Sequence, residues 1–190
     1  MIRNAIKKLD LDAVIVIPNY EPGHKPGAQS FGVRRALVEA GLRSIPQVIV
    51  ADEATAIEVS EQGVGAAISK FAREHADQEI VQVMGSDSLD RFKQSLGRVA
   101  RHYPKNISIA VESREPGYHA PLSVDGIKVT ALETTPTGIS STKVRTALSR
   151  GETLGPELLH PTVMKLIEKT KLYRRSKLAP SCSALFLRAG

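Results

Sequence analysis

Ile2, Ala5, Ile6 and Leu9 recur at the spacing of one helix face, and the run Ala13 to Ile17 that follows is continuous, β-branched and of strand length. The chain therefore opens on a helix and passes into a strand. Asn19 to Ser30 (NYEPGHKPGAQS) is dense in Gly and Pro and reads as a loop, after which Val33, Leu37, Val38 and Leu42 mark an amphipathic helix with Ser30 as its N-cap. Val48 to Val50 is a second short apolar run. Val64, Ala67, Ile68 and Phe71 predict a helix from Gly63 to His75, leading into a strand at Ile80 to Met84. Ser86-Asp87-Ser88 reads as the cap of a helix running to about Arg101. Ile107 to Val111 is a fourth strand, Arg114 to Asp125 a Pro/Gly loop, and Ile127 to Leu132 a fifth strand. Helices at Lys143 to Ser149 and Glu157 to Lys169 close the pattern, with no internal repeat and no linker before the tail that follows Tyr173.

Near-continuous apolar strands alternating with helices predict an α/β fold with a parallel sheet covered by helices on both faces. Folds of this kind bind ligands where the carboxyl ends of the strands hand over to loops. Three loops meet that condition: Pro18 to Ser30, Gly85 to Ser88, and Thr134 to Thr142.

Composition narrows the classes. The 190 residues suit one ordinary domain, residues 1–173, with 42% hydrophobic content for a core. A single cysteine excludes a disulfide framework. No apolar run approaches the ~20 residues of a membrane span, and MIRNAIKKLDLD carries charge where a secretory leader needs its apolar stretch, so a cytoplasmic location and no membrane partner are expected. The net charge of +6 suggests a polyanion partner until it is located. Residues 1–159 hold 19 basic and 19 acidic side chains, so the whole excess lies in residues 160–190. A balanced body with four Tyr, four Phe and no Trp gives little platform for nucleic acid, and none is expected as partner. The tail, 174–190, is expected to be disordered and solvated in preference to an RNA-binding arm. The chain says nothing of oligomeric state.

Gly138-Ile-Ser-Ser-Thr-Lys-Val-Arg145 lies between a predicted strand and a predicted helix. Ser140, Ser141 and Thr142 bring hydroxyls and unpaired backbone N–H groups to a helix N-terminus, a natural seat for phosphate, and Arg145 shares the face of Ser141. An ordinary Ser/Thr cap with a surface arginine explains the same octamer equally well.

ISSTKVR resembles the second signature of the adenylyltransferases of the nucleotidyltransferase superfamily, which holds the ATP triphosphate. Four further segments are similar to those of nicotinate-mononucleotide adenylyltransferases, in the same order. They are Pro22-Gly23-His24-Lys25-Pro26 followed by Arg34-Arg35; Val83-Met84-Gly85-Ser86-Asp87-Ser88; Ser113-Arg114-Glu115-Pro116-Gly117-Tyr118; and Leu159-His160-Pro161 leading to Leu172-Tyr173. The resemblance spans residues 2–173. It implies a Rossmann-like sheet and transfer of the adenylyl group of ATP, with Mg²⁺, to nicotinate or nicotinamide mononucleotide. Ser140, Ser141, Thr142 and Arg145 then meet the triphosphate, and Gly85, Ser86 and Asp87 the adenosine. His24 and Lys25 take the phosphate side, with Arg114 and Tyr118 near the pyridine base. Taken as bare residues, His24 also reads as an exposed loop histidine, Gly85 to Asp87 as a helix cap, and Arg114 and Tyr118 as plain loop residues; with the resemblance the site reading is preferred for each.

The family's first signature, a strand and a Gly-rich loop ending in His-x-Gly-His, is absent from the chain. In a sheet of order 3-2-1-4-5 that strand is central, so its neighbours are expected to face each other across a gap. Met1 is read as an internal methionine taken as the start, in preference to a degenerate member that binds nucleotide without transfer; whether the chain as given is active stays open. Ala184 to Leu187 filling the vacant position is the less favoured alternative. A pantetheine-phosphate or other adenylyltransferase is the enzymatic runner-up. His75, His102, His119 and His160 lack metal-ligand spacing, Cys182 has no neighbouring base, and Gly63-x-Gly65 is not a dinucleotide fingerprint.

Overall fold

The computed structural model describes residues 2–21, 28–96, 103–113, 118–132 and 139–173. The chain divides into two compact units, residues 1–138 and 139–190.

In the first unit, α1 (Ile2–Leu9) leads into β1 (Val14–Val16), α2 (Phe31–Leu42) and β2 (Val48–Val50). Two helices, α3 (Glu53–Gln62) and α4 (Val64–Glu74), then precede β3 (Ile80–Gly85), α5 (Ser86–Leu96), β4 (Ile107–Glu112), β5 (Ser123–Val124) and β6 (Ile127–Leu132). β1 and β2 form a parallel pair, with Ile15 opposite Ile49. The other four strands form a second sheet in the order β3-β4-β6-β5, parallel except where β5 folds back on β6.

All five predicted strands are present, divided between two sheets. Among the described residues β1 bonds only to β2, and β3 only to β4. These are the two strands expected to flank the family's central one. Ala184 to Leu187 lies outside the described residues.

β4 is the buried centre. Ile109 and Val111 project into one core with Met84, Leu89, Val124, Ile127 and Val129. Ala110 projects the other way, into a cluster with Ala5 and Leu132 against which Leu9, Leu11, Val81 and Val83 pack. The two-residue period of a strand thus sends alternate side chains under α5 on one face and under α1 on the other. The chain is α/β with parallel sheets flanked by helices.

Several elements differ from the sequence reading. Helix α3 was not expected, because EATAIEVSEQ has no clear apolar stripe; its ends are what define it. The Asp52 carboxylate accepts from the backbone N–H of Thr55 at 2.9 Å, and Gly63, at φ +83°, closes the helix by donating to the Val59 carbonyl. Strand β5 lies inside the predicted Arg114 to Asp125 loop. Asp125 and Gly126, with φ of 49° and 83°, form the two-residue turn that returns the chain into β6. Ser30 precedes α2 as expected, but its side chain makes no capping bond. The predicted helix from Ser86 to Arg101 starts at Ser86 itself, directly off β3, and its last turn lies outside the described residues.

Asn106 holds the frame of the second sheet. Its side-chain amide donates to the carbonyls of Ala72, His75 and Gln78 at 2.9, 3.1 and 2.9 Å, and the Asn106 backbone carbonyl accepts from Ile80 N–H at 2.8 Å. The end of α4 and the starts of β3 and β4 are tied at one point, which sets the register that places Gly85 opposite Glu112.

In the second unit, α6 (Ser141–Ser149) and α7 (Pro161–Thr170) are the helices among the described residues. α6 starts two residues before the predicted Lys143. α7 starts after the predicted Glu157, because Pro161 suits the first helical position, where no N–H is needed, and His160 Nδ1 accepts from Thr162 N–H at 3.3 Å.

Candidate nucleotide site

β3 ends at Gly85 and α5 begins at Ser86 without an intervening loop. The first-turn N–H groups of α5 therefore open at the carboxyl end of a parallel strand, with Asp87 among them. The Asp87 side chain is 80% exposed and lies 3.6 Å from the Arg91 guanidinium one turn later, a contact too loose and solvated to immobilise it. A Cβ on Gly85 would stand 2.7 Å from Asp87 Oδ1 and 3.9 Å from the Glu112 carbonyl, so a side chain there would have to displace the Asp87 carboxylate but not the backbone.

The ISSTKVR segment opens α6. The Ser140 hydroxyl oxygen accepts from Lys143 N–H at 3.2 Å, and the Ser140 carbonyl accepts from Val144 N–H at 3.1 Å. A serine hydroxyl that accepts in a cap keeps its own proton to donate. The N–H groups of Ser141 and Thr142, at the first two helical positions, have no acceptor within the helix. Both side chains are exposed, as is Arg145, whose guanidinium touches the Thr142 hydroxyl at 3.4 Å. Ser141 and Arg145 lie one turn apart on α6, and the side-chain contact of Arg145 is to Thr142, three residues back. The ordinary cap is real, and it leaves N–H groups, hydroxyls and a cation facing solvent at one helix end.

The model for the cytidylyltransferase-like family matches residues 1–147. The chain belongs to this family. The match runs from α1 through most of α6, so it takes in both the β3–α5 junction and ISSTKVR. Membership in the cytidylyltransferase-like family gives the chemistry in general terms: nucleotidyl transfer on a Rossmann-like fold. No curated protein matches the chain significantly. No helix among the described residues is long and apolar enough to cross a membrane.

Gly85, Ser86 and Asp87 are consecutive at one strand end in the first unit, and Ser140, Ser141, Thr142 and Arg145 share one helix end in the second. Tyr118 is half-buried against the core of Met84, Leu89 and Val111, so packing accounts for its ring. His24, Lys25 and Arg114 lie outside the described residues. For Mg²⁺, no group of three or more His, Cys, Asp or Glu side chains among the described residues is arranged as a metal site. Magnesium that stays with nucleotide phosphates and water needs no such cage.

A cavity of about 410 Å³ went unforeseen. It is lined by Tyr20, Glu21, Ala28, Gln29, Ser30, Phe31, Arg34 and Glu53. These come from the segment after β1, the start of α2 and the start of α3, so the cavity sits past the carboxyl ends of the β1–β2 pair. The Pro18 to Ser30 loop is one of the three ligand loops the sequence predicts, but nothing in the sequence marks Glu53, which the unexpected helix α3 carries.

Proposed function

We propose that the chain transfers the adenylyl group of ATP to nicotinate or nicotinamide mononucleotide, a dinucleotide-forming step of NAD biosynthesis. The observation that supports it best is the start of α6, where a capped helix turns N–H groups, hydroxyls and Arg145 outward in the ISSTKVR pattern. In this reading Ser140, Ser141, Thr142 and Arg145 bind the triphosphate. Gly85, Ser86 and Asp87 meet the adenosine, His24 and Lys25 the acceptor phosphate, and Arg114 and Tyr118 the region of the pyridine ring.

A phosphate oxygen of the mononucleotide attacks the α-phosphorus of ATP in line; the new P–O bond forms as the α–β bridge breaks and pyrophosphate leaves with the electron pair. No covalent enzyme intermediate is needed. The chain's residues contribute by holding both reactants and by placing donors against phosphate oxygens that gain charge. Mg²⁺ bound to the ATP phosphates would neutralise part of the triphosphate charge.

The test is a coupled pyrophosphate-release assay with nicotinate mononucleotide, nicotinamide mononucleotide and phosphopantetheine as acceptors. Turnover with a pyridine mononucleotide supports the reading, and turnover with phosphopantetheine alone replaces it by the pantetheine-phosphate reaction. ATP binding without turnover on any acceptor identifies a nucleotide-binding protein without transfer.

A further inference from the structure

Arg34 and Arg35 are adjacent on α2 and behave differently. Arg35 pairs one turn along its own helix, with Nε, itself shielded from solvent, 2.9 Å from Glu39 Oε1. Arg34 turns back toward the strand it came from. Its Nε donates to the Gln29 carbonyl at 2.9 Å, one terminal nitrogen donates to the Asn19 carbonyl at 2.5 Å, and the other to the Tyr20 carbonyl at 2.6 Å. The guanidinium carbon also lies 5.8 Å from the centre of the buried Phe31 ring, which meets the Tyr20 ring at 5.9 Å.

We infer that Arg34 is a positioning residue: it clamps the two stems of the connection between β1 and α2, Asn19-Tyr20 on one side and Gln29 on the other, and so fixes the wall of the adjoining cavity. Three acceptors from two separate stretches of backbone are gathered by one planar fork, a geometry that the five N–H donors of arginine allow and the single ammonium of lysine does not. All three acceptors are neutral carbonyls, so the bonds are charge-assisted while the positive charge stays uncancelled by them. Tyr20, Gln29, Phe31 and Arg34 all line the cavity, so the clamp and the cavity wall are one structure. The residues between the clamped stems include His24 and Lys25, so the consequence for binding rests on the acceptor reading proposed above. Arg34 acts on the acceptor, through the backbone, and leaves ATP to other residues.

The full chain is compared with Arg34→Ala, Arg34→Lys and the control Arg35→Ala, which removes the neighbouring cation and its pair with Glu39 while leaving the three Arg34 bonds in place. Hydrogen exchange is followed by mass spectrometry across residues 17–33, and affinities for nicotinate mononucleotide and ATP are measured by calorimetry. In Arg34→Ala, exchange over 17–33 rises about tenfold while that over β3 and β4 is unchanged. Mononucleotide affinity falls at least tenfold, and ATP affinity stays within threefold. Arg34→Lys recovers little of either loss, and Arg35→Ala behaves as wild type. Unchanged exchange in Arg34→Ala, equal loss of both ligands, or an Arg35→Ala phenotype matching Arg34→Ala overturns the inference. If the wild-type chain binds no mononucleotide, the acceptor reading itself fails, and exchange alone then decides whether Arg34 clamps the stems.

Discussion

A methyl group on Gly85 would stand 2.7 Å from Asp87 Oδ1, well inside contact distance, so Gly85→Ala must turn the carboxylate away. Asp87 is exposed and only loosely held by Arg91, so it moves at little cost to the fold. Gly85→Ala is therefore expected to leave the melting temperature within about 2 °C and to weaken ATP binding about tenfold, roughly 1.4 kcal/mol. An unchanged ATP affinity removes Asp87 from the adenosine site. Arg145 supplies the complementary case. It is exposed and among the described residues its side chain bonds only the Thr142 hydroxyl, so Arg145→Ala is expected to cost the fold little. If the guanidinium bonds phosphate, its loss forfeits a charge-assisted hydrogen bond of ~1.5–3 kcal/mol. ATP affinity measured by calorimetry should then fall at least about tenfold, and equal affinity ends its triphosphate role.

Elements were legible where burial imposes a period and obscure where ends define them. β4 is buried on both faces, so Ile107 to Val111 reads as an apolar run broken only by Ser108, whose hydroxyl is bonded to Glu79. Helix α3 has no such stripe. Its signal was the cap, Asp52 with Gly63 eleven residues on, and a reading led by hydrophobic period passes over it. Strand β5 escaped because two residues cannot show a period, although Asp125-Gly126 is a hairpin turn in its own right. The cap makes a pH-dependent prediction. Hydrogen bonds from the Thr55 backbone N–H, and then from its hydroxyl, lower the Asp52 pKa below the ordinary carboxylate value. A lowered folded pKa means the cap's stabilisation is present above that ordinary value and is lost as pH falls through the folded one. The difference in melting temperature between wild type and Asp52→Ala is thus largest near neutrality and shrinks on acidification; a difference that holds constant down to pH ~3 contradicts it. Leu89 is the packing counterpart, since it joins α5 to the sheet and has no exposed surface. Leu89→Ala should cost ~2–5 kcal/mol in denaturant unfolding, and a loss below ~1 kcal/mol shows that α5 is not held by this core.

For the molecule as a whole, the question is whether its charge and its chemistry reside in the same place. The family match covers residues 1–147, and every proposed site residue lies within it. The basic excess lies in residues 160–190, beyond that match. Arg174, Arg175, Lys177 and Arg188 alone account for four of the net charge of +6, so ending the chain at Tyr173 leaves +2. A polyanion partner recruited by charge depends on these four residues, because each neutralised phosphate contributes to the salt dependence of binding. A small nucleotide held by a helix end and a strand end does not depend on them. Deleting residues 174–190 is therefore expected to leave ATP affinity within twofold and to lower retention on heparin. RNA binding by the full chain at physiological salt, lost in the truncated one with a flattened salt dependence, would instead make the tail a second functional part. A fall in ATP affinity in the truncated chain would join the tail to the nucleotide site and overturn the separation of charge from chemistry.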